Sequence, residues 1–364
     1  MDNLVAIFED PPHLGMDLAA NSVLIYGAGN SGRAVATYLE KQGIEVLAFI
    51  DQHQSPGAIL LGHPIYSLAQ AFTLFGSATP VLISIHNRGV DMVEVTQSTQ
   101  SVGFKHIFNM FNYVSQFPFD DSFRFFLANP SSLKDEGLNA TKFFCSLADE
   151  RSKNLFLNFL KFRLSGNYSF CPQPNFEFQY APKDIPAWSN PLRLIDCGAY
   201  NGDSIRLFQE YGYVLESVIA LEPDEKNYHQ LCENTKGLPG IYLPCGASSR
   251  SQIMQFNSGE GEASRVSAAG CQSIQMLSID EAFHEWTPNL IKMDVEGGEY
   301  AALVGAQKTI AQHRPGLALS AYHLPTDLWR LGLLIQSMDL GYQFYLRPHG
   351  YSSFDTVLYA VPQQ

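Results

Sequence analysis

Apolar residues in this chain gather in short unbroken runs: VLIY at 23–26, VLAFI at 46–50, VLISI at 81–85, LIDC at 194–197, VIAL at 218–221, LIKM at 290–293 and LALSAY at 317–322. Runs this short, without an alternating polar face, predict strands buried on both sides, as in a parallel sheet covered by helices. Between them lie amphipathic stretches such as RAVATYLEKQG at 33–43, which predicts a helix stopped by Gly43. The pattern therefore predicts an α/β protein built from strand-turn-helix units.

Two such series are separated by a different kind of chain. Residues 22–108 read as one compact α/β unit, with a further strand at KHIFN, 105–109. Beyond Pro118 the chain turns aromatic and helical. In DERSKNLFLNFLKFRLSG at 149–166, Leu155, Leu157, Phe159, Leu160, Phe162 and Leu164 crowd more than one face, which predicts a helix wedged between domains. Pro172, Pro174, Pro182, Pro186 and Pro191 then punctuate a connector. The expected organisation is a Rossmann-like nucleotide-binding-type domain at 1–117, a helical connector at 118–184 and a second α/β domain at 185–364. The tail YQFYLRPHGYSSFDTVLYAVP predicts a hairpin around Gly350.

In the second domain the strand runs end in chemistry. LIDC leads into Gly198, Ala199, Asn201 and Gly202; VIAL ends at Glu222 and Pro223; LIKM ends at Asp294 and Glu296; and LALSAY ends at His323. In an open parallel sheet ligands bind outside the carboxyl ends of strands, so these residues predict one crevice. Asp196 makes that crevice a poor place for a diphosphate and a good one for a cationic ligand, whose ammonium it would hold. The Glu222 carboxylate suits two ribose hydroxyls. Asp294 and Glu296 are candidates to orient or deprotonate an acceptor or to hold a divalent cation, and metal-independent chemistry is the expectation. Glu299 is weighed evenly between this cluster and a helix cap. His323, with Asp327 four residues on, is read as a neutral imidazole base; Arg347 and His349 are weighed as substrate contacts against an internal salt bridge, the latter being favoured.

The segments IDCGAYNGDS, ALEPD, SIDEAF and, most specifically, IKMDVEGGEYAALVGA resemble the FkbM-type family of class I methyltransferases, over residues 192–362 or so. The resemblance implies S-adenosylmethionine as cofactor, a doubly wound sheet closed by an antiparallel hairpin, and transfer to a hydroxyl of a sugar or similar polar metabolite. Asp196, Gly198, Ala199, Asn201, Gly202, Glu222, Pro223 and Asp294 would then hold the cofactor, and Asp294, Glu296 and His323 would activate the acceptor. The turn CGASS at 245–249 offers no acid for adenine, leaving backbone groups or Ser248.

The first domain carries GAGNSG, with Gly27, Gly29 and Gly32 after a strand and Asp51 nineteen residues beyond, which is dinucleotide-fingerprint spacing. Arg33 follows at once and no acid precedes the turn, so a phosphate fits there. GAILLGHPIYSLAQA resembles the amino-terminal domain of bacterial sugar O-acyltransferases, implying a nucleotide-linked sugar as ligand and Asp51 as its ribose partner. An NAD(P)-dependent oxidoreductase and a non-catalytic nucleotide-sugar-binding protein are the rival readings.

Charge and cysteine content narrow the classes. A formal net charge of -13, with no basic run, argues against nucleic acid as partner. The six cysteines have no CxxC spacing and suit reduced thiols. No stretch approaches the roughly 18 apolar residues of a membrane span, and the start lacks a signal-peptide pattern. A soluble, cytoplasmic protein is expected.

Overall fold

The computed structural model describes residues 2–9, 21–55, 57–111, 130–257, 265–266 and 272–363. These form two compact units: one of residues up to Gly137 with Leu157–Gln173 and Gly350–Phe354, the other of Leu138–Phe156, Pro174–His349 and Asp355–Gln364. The stretch expected as a connector is thus divided. The helix Glu150–Ser165 contributes its first residues to one unit and its last to the other. Part of that connector, 112–129, and Cys271 lie outside the described residues.

In the first unit, β1 (Ser22–Tyr26), β2 (Glu45–Ile50), β3 (Ile59–Leu60), β4 (His63–Tyr66), β5 (Val81–Ile83) and β6 (Ile107–Asn109) form a sheet in the order β3-β4-β2-β1-β5-β6. All pairs are parallel except β3 with β4. That pair is a tight hairpin whose two turn residues, Leu61 and Gly62, both have positive φ, as a primed turn requires. Val23, Leu24, Ile25, Phe49, Ile50 and Leu82 fill the core, as runs buried on both faces must.

In the second unit, β7 (Leu192–Cys197), β8 (Leu215–Leu221) and β9 (Gly240–Leu243) are followed by four strands, β10 (Cys245–Ala247), β11 (Gln252–Asn257), β12 (Arg265–Val266) and β13 (Gln272–Leu277), and then by β14 (Leu290–Met293), β15 (Gly316–Ser320), β16 (Tyr342–Pro348) and β17 (Thr356–Pro362). The main sheet runs β16-β17-β15-β14-β7-β8-β9. β17 is antiparallel to both β15 and β16 and the other pairs are parallel, so the expected closing hairpin is present. The order reverses between β14 and β7, both of which deliver their carboxyl ends to the same edge; this is the switch point at which open α/β sheets bind ligands.

β10 to β13 form a separate small sheet that the sequence reading missed. It hangs on its own pair of buried residues, Ile274 and Met276, with Met254 against them. No helix among the described residues is long and apolar enough to cross a membrane.

Candidate active site

The turn after β7 is shaped by glycine. Gly198 has φ +74 and its missing Cβ would lie 1.8 Å from the backbone oxygen of Asp294, so no other residue fits between the ends of β7 and β14. Gly202, at φ +83, starts the helix Asp203–Glu210. Between them Ala199 donates its N–H to Leu221 and the Asn201 carbonyl accepts from the Asn234 side chain. The Asn201 Oδ1 is buried and lacks a hydrogen-bond partner.

Asp196 departs from the expectation of a ligand-facing acid. It is fully buried, lies 3.0 Å from the Lys292 ammonium and accepts a short hydrogen bond from Ser204 Oγ. Burial raises its pKa against the pull of Lys292 and Ser204. At Lys292 burial works the other way, but Asp196, Asp294 and Asp203 outweigh it and hold the ammonium above its ordinary range. The lysine also donates to the Gly198 carbonyl, at 2.6 Å. The two charges therefore form an ion pair that braces the glycine turn from below, and Asp196 cannot at the same time face a ligand. Lys292 escaped the sequence reading, although a lysine inside LIKM, a strand buried throughout, was the signal.

Glu222 ends up where the sequence suggested. Its two oxygens accept the N–H groups of Tyr200 and Asp224, each at 2.9 Å, so the carboxylate is oriented beside the glycine turn with lone pairs to spare. Burial raises its pKa to about 7 against the effect of those two amides. Pro223, half-buried, follows and Asp224 caps the helix Glu225–Asn234.

At the ends of β14 and β15 four ionisable residues converge. Glu296 has φ +53 and Gly297 φ +92, a sharp reversal that brings Asp294, Glu296 and Glu299 together. Glu299 is fully buried and folds back on its own turn: it accepts from the N–H groups of Val295 (2.8 Å) and Gly297 (3.1 Å), and its Oε1 lies 2.8 Å from His323 Nδ1. His323 Nε2 is 3.5 Å from both Asp294 Oδ1 and Glu296 Oε2. Burial opposes the imidazolium, but Glu299, Glu296 and Asp294 together raise its pKa to about 10. In this arrangement His323 is a protonated donor and not the neutral base expected from sequence.

Asp294 is pulled below the usual carboxylate range. Its burial is overcome by Lys292 and His323, and Tyr180 Oη donates to its Oδ2 at 2.9 Å. Tyr180 comes from the proline-rich stretch 114 residues earlier, and no sequence signal pointed to it. Asp294 and Glu296, with side chains 21% and 28% exposed, are the acids of this cluster that a ligand reaches.

Other candidates prove structural. Asp327 accepts the Leu324 N–H and so caps its own turn. Arg347 is buried among Asp149, Asp184 and Ser152, the internal salt bridge, and His349 lies between the Asn175 carbonyl and Tyr359, with burial lowering its pKa to about 4. The SIDEAF segment works as a brace: Asp280 accepts from the N–H groups of Lys308 and Thr309, and Ser278 donates to the Gly305 carbonyl. Ser248 packs its carbonyl on Gly305 and donates its N–H to Leu277. A surface pocket lined by Phe178, Lys183, Trp188 and Tyr211 opens near the start of β8, at the opposite edge of the sheet from these residues.

In the first unit, Gly32 is compelled by packing, since its Cβ would lie 1.8 Å from the Gly27 oxygen, and Gly27 by φ +114. Gly29 differs: it has ordinary φ and open space around it, at the start of the helix Asn30–Lys41, with Arg33 exposed. Asp51 is engaged by its own loops, accepting from Ala28, His53 and Gln54 N–H groups.

A seven-stranded sheet of this order, with a glycine turn after its first strand and a carboxylate ending the second, defines a class I methyltransferase fold. Residues 196–352 match the model of the methyltransferase FkbM domain, and the chain carries a domain of that family. The crystal structure of a methyltransferase FkbM from Methylobacillus flagellatus KT is similar over 99% of this chain and 98% of that chain, with a TM-score of 0.78 and 24% identity, which shows a shared fold. No curated protein sequence matches the chain.

Proposed function

We propose that the second unit is an S-adenosylmethionine-dependent methyltransferase acting on a hydroxyl of a sugar or similar polar metabolite. The observation that carries this reading is Glu222, held by two amides beside the glycine turn with acceptor capacity left over for ribose hydroxyls. The orphaned Asn201 Oδ1 on the same turn suits the ligand's ammonium, a role that Asp196 has no free face to perform. Gly198, Ala199, Gly202 and Pro223 complete the wall. When bound, the cofactor supplies an electrophilic methyl group on a sulfonium, and the excess of carboxylates at this edge favours that positive charge over a diphosphate. Asp294 and Glu296 orient the acceptor hydroxyl and draw off its proton, while His323 and Glu299 fix their positions. The free thiols of Cys145, Cys171, Cys197, Cys232 and Cys245 accord with a reducing, cytoplasmic setting.

Calorimetry with S-adenosylhomocysteine tests this reading. Glu222→Ala should weaken binding by about 1.5 to 3 kcal/mol, the usual cost of losing a charged hydrogen-bond acceptor. Unchanged affinity in a folded variant removes Glu222 from the site, and absence of binding by the unaltered protein removes the cofactor.

We infer in addition that the first unit is an accessory module for the phosphate of a nucleotide-linked acceptor, with Gly27, Gly29, Gly32 and Arg33 around it. The supporting observation is Gly29, which neither backbone angle nor packing requires to be glycine.

A further inference from the structure

We propose that His323, Asp294 and Glu296 form a divalent-cation site, with His323 Nε2, Asp294 Oδ1 and Glu296 Oε2 as its protein ligands. The imidazole is 4% exposed, and its Nε2 has no hydrogen-bond partner; Asp294 Oδ1, buried and facing it, has none either. Such atoms are rare, because a buried polar atom left unpaired is costly. The two separations of 3.5 Å are too long for the roughly 2.7–2.9 Å of a charge-assisted hydrogen bond. They are close to what a shared ion produces: donors about 2.0–2.2 Å from one cation stand roughly 3.0–3.4 Å apart in octahedral or tetrahedral positions.

The other ring nitrogen supports the assignment. His323 Nδ1 lies 2.8 Å from the fully buried Glu299, which is itself fixed by two backbone N–H groups. Metal-bound histidines almost always donate their second nitrogen to such a carboxylate, which sets the tautomer and aims Nε2 at the ion. One imidazole and two carboxylates suit Mn2+ and its neighbours, and three protein ligands leave coordination positions open to oxygen. This reverses the metal-independent expectation drawn from sequence. That an acceptor hydroxyl takes one of the open positions rests on the methyltransferase reading; the cation site itself does not.

The test uses the full chain after treatment with chelator and Mn2+ as the probe, followed by electron paramagnetic resonance and thermal melting in the absence of any nucleotide. The protein should bind one Mn2+ and melt at a higher temperature when it does. His323→Gln and Glu296→Gln should each weaken binding at least tenfold, and Glu299→Gln should weaken it roughly 10- to 100-fold through the histidine alone. Glu296 is the most exposed of the ligands, so its variant keeps the test open if His323→Gln does not fold. S-adenosylhomocysteine binding retained by Glu296→Gln separates loss of the ion from loss of the methyltransferase site. No Mn2+ binding at millimolar concentration, or equal binding by Glu296→Gln and the unaltered protein, overturns the proposal.

Discussion

Asp196 and Lys292 sit 3.0 Å apart with almost no exposure, so each depends on the other. Lys292→Met leaves a buried carboxylate without its cation and should cost about 3 kcal/mol, whereas Lys292→Met combined with Asp196→Asn should recover most of that loss. Urea unfolding of the three proteins checks this, and a double variant as unstable as the single one would show that the pair does not carry the effect. Glu222 has the opposite sign from a surface acid. Burial lifts it from 4.5 to about 7, so between those values the folded chain holds a proton that the unfolded chain has released. Stability therefore falls as pH rises through this window, and the cost is fully present above it. Glu222→Gln should melt higher than the unaltered protein at pH 8 and equally at pH 4.5. Ribose hydroxyls favour the charged form, so S-adenosylhomocysteine affinity should rise through pH 7 in the unaltered protein and stay flat in Glu222→Gln; parallel profiles would contradict both statements.

The elements of the main sheet were legible because strands buried on both faces must be unbroken apolar runs, and LRLIDC, LESVIAL and LIKM are that. The small sheet was readable in part: QIMQFN and QSIQML alternate polar with apolar residues, a period of two that the search for continuous runs passed over. The β3–β4 hairpin left only Leu61-Gly62 as a sign, and leucine is a poor turn residue. Gly29 belongs to this scale because it joins a strand to a helix. With ordinary φ and nothing within 4 Å, Gly29→Val should leave the melting temperature unchanged while closing the backbone to a phosphate. Thermal shift with nucleoside diphosphates compares the two proteins; stabilisation of both alike would leave this unit a packing role.

At the scale of the whole molecule, the second unit begins well before residue 185. Asp149, Ser152 and Asp184 hold the guanidinium of Arg347, which is 2% exposed, and Tyr180 holds Asp294. A chain cut to 185–364 strands that guanidinium, at about 3 to 5 kcal/mol, and should melt without cooperativity, while 138–364 should keep S-adenosylhomocysteine binding. Cooperative melting and full affinity of the shorter chain would restore the boundary at 185. The sequence alone determined the strands, their direction and the arrival of Asp196, Glu222, Asp294 and His323 at one edge, since period and chain direction are local properties. Only the tertiary structure decided what those groups are: Asp196 neutralised by Lys292, Asp294 engaged by a tyrosine 114 residues away, His323 enclosed by three carboxylates. Charge state and availability depend on burial and on which distant side chains arrive, and neither leaves a periodic trace along the chain.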